Sequence, residues 1–166
     1  MSLLEDVKKA TEKLTGWQRP SVAQLGQLPR LGKIGAYRFR DDGVTPNQPY
    51  WPLLILRRAV RLPRSVDPAA VFEDLFESNG WTDSWRDGVY DYLHYHSRTH
   101  EVMGIARGTA KVRFGGQHGR TIKLSAGDVD PSCRDRPSVH RGKQELSRGR
   151  RLSADRHLRR MHRDFG

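Results

Sequence analysis

Residues 88–108 read GVYDYLHYHSRTHEVMGIARG, and this stretch decides how the rest of the chain is interpreted. Its first nine residues alternate with a period of two, so His94 and His96 share one face of a predicted strand together with two tyrosines. The residues that follow predict three further short strands separated by glycine-rich turns, a pattern that favours a β-barrel or sandwich. These strands are predicted over residues 101–107, 109–114 and 120–124.

The two histidines form a candidate metal site with a nearby carboxylate. The Cα atoms of His94 and His96 would lie roughly 6.5–7 Å apart, which lets both imidazoles converge on one ion. Glu101 begins the next strand and can add a carboxylate oxygen. Histidines at this spacing also occur on surfaces and in packed cores, and the tyrosines beside them suit a core or a pocket wall equally well. His100 should point to the side opposite Glu101, as an outer hydrogen-bond partner or an exposed residue.

The complete spacing strengthens the metal interpretation. Gly88, His94, His96, Glu101 and Gly108 fill every fixed position of G-x5-H-x-H-x4-E-x6-G. This pattern resembles the first motif of the cupin superfamily, and residues 30–129 resemble more narrowly the bacterial YjlB-type cupins. The resemblance implies a mainly β fold, an RmlC-like double-stranded β-helix or jelly-roll barrel, which binds one divalent transition metal ion through His94, His96 and Glu101. Imidazole and carboxylate ligands suit Fe, Mn, Ni, Zn or Cu without choosing among them.

Three segments divide the chain. Residues 1–33 are predicted to be a helical extension, with an amphipathic helix over residues 3–15. Residues 34–129 are predicted to form the cupin barrel, with the first motif at 88–108. Residues 130–166 are predicted to be a basic, non-native tail that is disordered or at most weakly helical near residues 152–163. Within the barrel, the sequence predicts strands over 34–39, 53–60 and 88–96, and a helix that begins after Asp67-Pro68 and ends at Gly80.

Composition excludes several classes of protein. No apolar run approaches the roughly 18–20 residues of a membrane span, and the first residues lack the pattern of a signal peptide. The single cysteine, Cys133, cannot form an internal disulfide or a cysteine-rich zinc site. We therefore expect a cytoplasmic protein with no membrane partner. The net charge of +11 permits binding to anionic partners.

The resemblance to cupins stops after residue 129. A second cupin motif should supply a proline and a final histidine ligand, and Gly127 is in place for it. Cys133 stands where the proline belongs, and no histidine follows at the required distance. Over the same residues, 130–166, the chain turns strongly basic and contains few apolar residues. We therefore expect a barrel that is incomplete at its C-terminal side and binds metal poorly.

A change of reading frame would explain this break. When the codons from position 130 onward are read one base later, their degeneracy permits ILPAGTGHQ, which contains the missing proline and histidine. The same frame permits CIEASKNFLVVGAYPPTGTYD up to position 159, which is strand-like apolar sequence. The hypothesis is that residues 130–166 arise from a one-base frameshift.

Several functions remain open. The first is a metal-binding cupin with a small-molecule pocket, whose ligand and reaction are unknown; as an enzyme it would be of the metal-dependent dioxygenase or isomerase type. No catalytic acid or base can be named, because cupins host many reactions as well as plain binding. The second is a non-enzymatic binding or interaction module, in which the N-terminal helix contacts a partner; the resemblance also makes a homodimer plausible. The third is a nucleic-acid binder that uses the arginine-rich tail, although the chain shows no recognition helix and no zinc-finger spacing.

Overall fold

The computed structural model describes most of the central chain. It describes residues 13, 16–41, 43, 46–90, 92, 94, 99–132, 138–141 and 146–152, with backbone only for 99 and from 132 onward. Two helices and nine strands lie in these residues. In chain order they are α1 (Val22–Leu25), β1 (Ile34–Tyr37), β2 (Leu53–Leu56), α2 (Pro68–Ser78), β3 (Thr82–Asp87), β4 (Thr99–Ile105), β5 (Thr109–Phe114), β6 (Arg120–Ser125), β7 (Val129–Ser132), β8 (Ser138–Arg141) and β9 (Leu146–Leu152).

The strands form two antiparallel sheets. Six strands pair in the order β1-β2-β7-β4-β9-β3, and three pair in the order β6-β5-β8. Every pair within these sheets is antiparallel. The prediction of a mainly β fold is therefore confirmed, with two antiparallel sheets as its architecture.

A core of apolar side chains joins the two sheets. Alternate residues of β4, among them Met103 and Ile105, contact a cluster that also contains the inward residues of β5 and β6. Because side chains alternate along a strand, the odd-numbered residues of β4 define the inner face of the six-stranded sheet. The buried members of this core are Leu53, Ile55, Met103, Ile105, Ala110, Val112, Phe114, Ile122 and Leu124.

Helix α2 covers the outer face of the same sheet. Val102 and Ala106 belong to a second cluster with Phe72 and Phe76 of the helix. Gly104 lies directly below the helix, since a Cβ atom there would come within 2.3 Å of the Phe72 ring. The three-stranded sheet thus covers the inner face of the six-stranded sheet, and helix α2 covers its outer face.

The predicted elements compare with the structure as follows. The helix after Asp67-Pro68 is present, and Asp67 Oδ1 accepts a hydrogen bond of 3.2 Å from Ala69 N at its start. The predicted strands at 34–39, 53–60, 101–107, 109–114 and 120–124 are present with shifts of a few residues at their ends. The predicted helix over 3–15 lies outside the described residues, apart from Lys13, which is helical.

Two regions differ from expectation. Gly88, Val89 and Tyr90 are not in a strand; the strand lies earlier, at β3, and most of residues 91–98 lie outside the described residues. In the predicted tail, the backbone forms β8, β9 and most of β7, although we expected disorder there. Strands β7 and β9 pair with β4, and β8 pairs with β5, so they satisfy backbone N–H and C=O groups that would otherwise lie at a sheet edge. These hydrogen bonds stabilise the strands although the segment contains few apolar residues.

No helix in the described part of the chain is long and apolar enough to cross a membrane.

Candidate metal centre

Glu101 lies in the inner wall of the sandwich. It is on the same face of β4 as Met103 and Ile105, and only 7% of its surface is exposed. Its backbone is in register with Ser132 on β7 and with Arg150 on β9. A carboxylate is costly to bury unless a cation or hydrogen-bond donors accompany it, so this position suits a ligand-binding role.

His94 belongs to an aromatic cluster with two tyrosines. Its ring centroid lies 5.3 Å from that of Tyr90 and 5.5 Å from that of Tyr92, and the two tyrosine rings stack at 5.2 Å. His94 Nδ1 is 3.4 Å from the Tyr92 carbonyl oxygen. The three side chains thus lie together, although the strand predicted over 88–96 is not present at residues 88–90. Tyr92 is 56% exposed, so one side of this cluster faces solvent.

The predicted triad is not tested as a whole. His96 lies outside the described residues, so its position relative to His94 and Glu101 is not defined. Among the described residues, no group of three His, Cys, Asp or Glu side chains is close enough to hold a metal ion. The predicted ligand set therefore stays a prediction.

His100 falls on the other face of β4 from Glu101. It alternates with Glu101 along the strand and shares its face with Val102, which packs towards helix α2. The expectation that His100 and Glu101 point to opposite sides agrees with this alternation. His100 therefore offers a natural control for experiments on the inner-face residues.

Asp130 is a second acidic residue of the inner wall. Only 1% of its surface is exposed, and it is in register with Met103 across β7 and β4. Because Ser132 is the residue opposite Glu101, Asp130 and Glu101 are diagonal neighbours on one face, a separation of roughly 7–8 Å. Sequence reasoning missed it because Asp130 is the first residue of the segment taken to be non-native, and only the pairing of β7 with β4 reveals its position.

An ion-pair network fixes the chain just before the first motif. Arg86, near the end of β3, donates from Nε to Glu73 Oε1 at 2.7 Å and lies 2.8 Å from Asp67 Oδ2 through NH1. Burial alone would lower the pKa of Arg86, but hydrogen bonding to Glu73 and the negative charges of Glu73 and Asp67 outweigh it, so the pKa is raised. The guanidinium therefore remains charged and holds β3, which leads into residues 88–96, against helix α2.

Asp128 connects the start of β7 to the end of β2. It is 2% exposed and accepts hydrogen bonds from Arg57 NH1 at 2.7 Å, Arg58 N at 2.8 Å and Ser125 N at 3.0 Å. Arg58 has a φ of +50°, a conformation that L residues adopt rarely. The carboxylate thus accepts a hydrogen bond from a backbone N–H group in the turn after β2 that would otherwise lack an acceptor. Strand β2 ends at Leu56, just before this turn.

Two known proteins are similar to part of this chain. No profile of a known protein family matches the chain. Over 93 residues, 56% of this chain, the sequence is 38% identical to the uncharacterized protein YjlB of Bacillus subtilis (strain 168) and is homologous to it. The chain spans about half of that relative, 53% of its length. A crystal structure of a DUF861 family protein from Thermotoga maritima is 18% identical, covers 61% of this chain and 99% of its own, and has a TM-score of 0.35.

Proposed function

We propose that this chain is a metal-binding protein of the cupin type, with a small-molecule pocket inside its β-sandwich. The observation that carries the proposal is the burial of Glu101 on the inner face of β4, within a sequence whose glycine, histidine and glutamate spacing matches the first cupin motif throughout. The finer architecture we propose is a double-stranded β-helix, which closes such sheets into a barrel.

In this proposal His94, His96 and Glu101 hold one divalent transition ion, and their imidazole and carboxylate groups suit Fe, Mn, Ni, Zn and Cu alike. The donor set fits, because two imidazoles and one carboxylate leave coordination positions open for a small ligand. The ion would supply Lewis acidity at those positions. Tyr90 and Tyr92 restrict the orientation of His94, because their ring centroids lie 5.3 Å and 5.5 Å from that of the imidazole.

We further propose that residues 130–166 are read in a shifted frame, and the core positions of the tail support this. The shifted frame would put isoleucine at position 130, where Asp130 is almost fully buried in an apolar wall. Arg148 and Arg150 are in register with Met103 and Glu101 of the inner face, and the shifted frame would put valine and glycine there. Strand β9 coincides with FLVVGAY of the shifted frame, a sequence with high strand propensity.

Sequencing the gene over codons 125–135 tests the frame directly. An extra or missing base relative to a homologous gene supports the proposal. Well-supported codons for the present tail, with no homologous sequence in the shifted frame, would end it.

Elemental analysis after incubation with each of the five metals tests the metal site. The frame-corrected protein should bind about one equivalent and the present chain less, because the corrected sequence restores a further histidine. In the corrected protein, His94→Ala, His96→Ala and Glu101→Gln should each lower the bound metal, whereas His100→Ala, on the opposite face of β4, should retain it. A corrected protein that stays metal-free would refute the metal site, and equal, stoichiometric metal in both proteins would refute the importance of the tail.

A further inference from the structure

The outer face of the β5–β6 hairpin carries only cations and hydroxyl groups. The residues that point away from the core pair across the two strands in three rows, Thr109 with Ser125, Lys111 with Lys123, and Arg113 with Thr121. Their strand neighbours Ala110, Val112, Ile122 and Leu124 are buried in the core, so the alternation fixes which side chains face outward.

Two lysines lie side by side on this face, and the described strands β5 and β6 place no carboxylate beside them. Lys111 and Lys123 are directly opposite each other in register, and both are exposed. Like charges in this position repel and destabilise a sheet. No residue between 102 and 127 is acidic, whereas five in that range are lysine or arginine. The repulsion is therefore not relieved by a carboxylate from these strands, and an anion bound across the pair would relieve it.

The positive surface continues beyond the hairpin. Arg113 Nε donates to the Gly116 carbonyl oxygen at 3.0 Å, so its side chain extends along the surface to the turn between β5 and β6. Beside that turn lies a cleft of about 460 Å³ lined by Arg38, Arg40 and His118, together with Phe39, Asp41 and Gly115. The cleft thus extends the hairpin face around the end of the sandwich. We call the outward residues of β5 and β6 together with this cleft the cationic track.

We propose that the cationic track binds the phosphate backbone of duplex nucleic acid. Cations interleaved with hydroxyl groups are the side chains that contact phosphate oxygens. Outward positions of β5 and β6 provide no aromatic ring to stack unpaired bases, which favours a duplex over a single strand. They also provide no apolar side chain to insert into a bilayer, which favours nucleic acid over a lipid surface. The proposal does not depend on the metal site. Its residues differ from those of the arginine-rich tail, although strand β8 of that tail pairs with β5 in the same sheet.

Fluorescence anisotropy with a labelled 20-base-pair DNA duplex, measured on the whole chain at several salt concentrations, tests the proposal. The double variant Lys111→Gln/Lys123→Gln should weaken binding about tenfold or more at low salt. It should also reduce the slope of log affinity against log salt by about two, since each lost phosphate contact removes about 0.9. The matched control is Arg61→Gln/Arg64→Gln, two exposed cations that lie between β2 and α2 and outside the track.

The expected result is a loss confined to the lysine double variant, with the control close to the unmodified chain. Equal losses in both double variants would show that net charge alone matters, and undiminished binding in the lysine variant would assign the DNA to another surface such as the tail. Either result overturns the proposal. Vesicles containing phosphatidylserine provide the last comparison, and stronger binding to them than to the duplex at physiological salt would also overturn it. Circular dichroism of each variant checks that the β-sandwich is retained.

Discussion

Asp130 on β7 lies directly opposite Met103 on β4, and the two side chains are 1% and 2% exposed. The residues around this pair on the inner face are largely apolar. A buried carboxylate carries a desolvation cost that an apolar residue avoids, and replacement of a whole buried ion pair by well-packed apolar residues is often neutral or stabilising by about 1–4 kcal/mol. We predict that Asp130→Ile increases the free energy of unfolding by about 1–3 kcal/mol, measured by urea denaturation.

Asp130→Asn separates the effect of charge from that of volume. If the charge is the main cost, the asparagine variant should recover part of the gain, whereas the isoleucine variant should exceed it through apolar contact with Met103. A loss of stability in Asp130→Ile would contradict the view that this position suits an apolar residue, and it would weaken the structural support for the shifted frame.

Asp128, two residues earlier, should respond in the opposite way. Its carboxylate accepts three hydrogen bonds from Arg57, Arg58 and Ser125. Removal of a buried acceptor leaves its donors unsatisfied, at a cost of about 1–3 kcal/mol or more when charge is involved. We predict that Asp128→Ala lowers the free energy of unfolding by about 2–4 kcal/mol. Glu77→Ala, at an exposed position of α2, should change it by less than about 0.5 kcal/mol, and equal effects of the two variants would refute the role of Asp128.

Gly104 allows α2 to pack closely on β4. A methyl group at this position would lie 2.3 Å from Phe72 Cδ1, so the helix or the ring would have to move. We predict that Gly104→Ala lowers the free energy of unfolding by about 1–3 kcal/mol, the usual cost of overpacking a core. Addition of Phe72→Leu should restore part of this loss, because it removes the clashing ring. Gly26→Ala, whose nearest neighbours would be 3.9 Å away, should have little effect.

The sequence predicted the strand that carries Glu101 but not the course of residues 88–90, which lie outside any strand. Because adjacent residues of a strand face opposite sides, it also put Glu101 on the face opposite His100. The aspartate and proline at positions 67 and 68 predicted where α2 begins, because the cap hydrogen bond and the fixed φ of proline are local properties.

Long-range pairing was less predictable. Strand β3, which reads TDSWRD, has no apolar alternation, and it forms through pairing with β9 and packing against α2. Strand β7 lies between β2 and β4, and that arrangement brings Asp130 beside Met103. Such contacts join residues far apart in the chain, so a local period does not encode them. The proposed assembly of His94, His96 and Glu101 would depend on contacts of the same kind.

The contact between Arg86 and Glu73 gives the last prediction, because it fixes β3 against α2 ahead of the first motif. The guanidinium donates to both carboxylate oxygens, at 2.7 Å and 3.1 Å, and Glu73 is 4% exposed. Loss of one partner from a buried ion pair costs about 3–5 kcal/mol, and less where one partner is partly exposed, as Arg86 is. We predict that Glu73→Gln lowers the free energy of unfolding by about 1–3 kcal/mol. Glu77→Gln, exposed on the same helix, should change it little.

A double-mutant cycle with Arg86→Gln isolates the pair itself. The raised pKa of Arg86 means that the guanidinium stabilises the folded state through its partners, and this contribution is fully present at every pH below the pKa that Arg86 has in the unfolded chain. The coupling measured by urea denaturation should therefore be constant between about pH 6 and pH 9, where Arg86 does not titrate. A coupling free energy indistinguishable from zero would show that the Arg86–Glu73 pair does not help to hold strand β3 against helix α2.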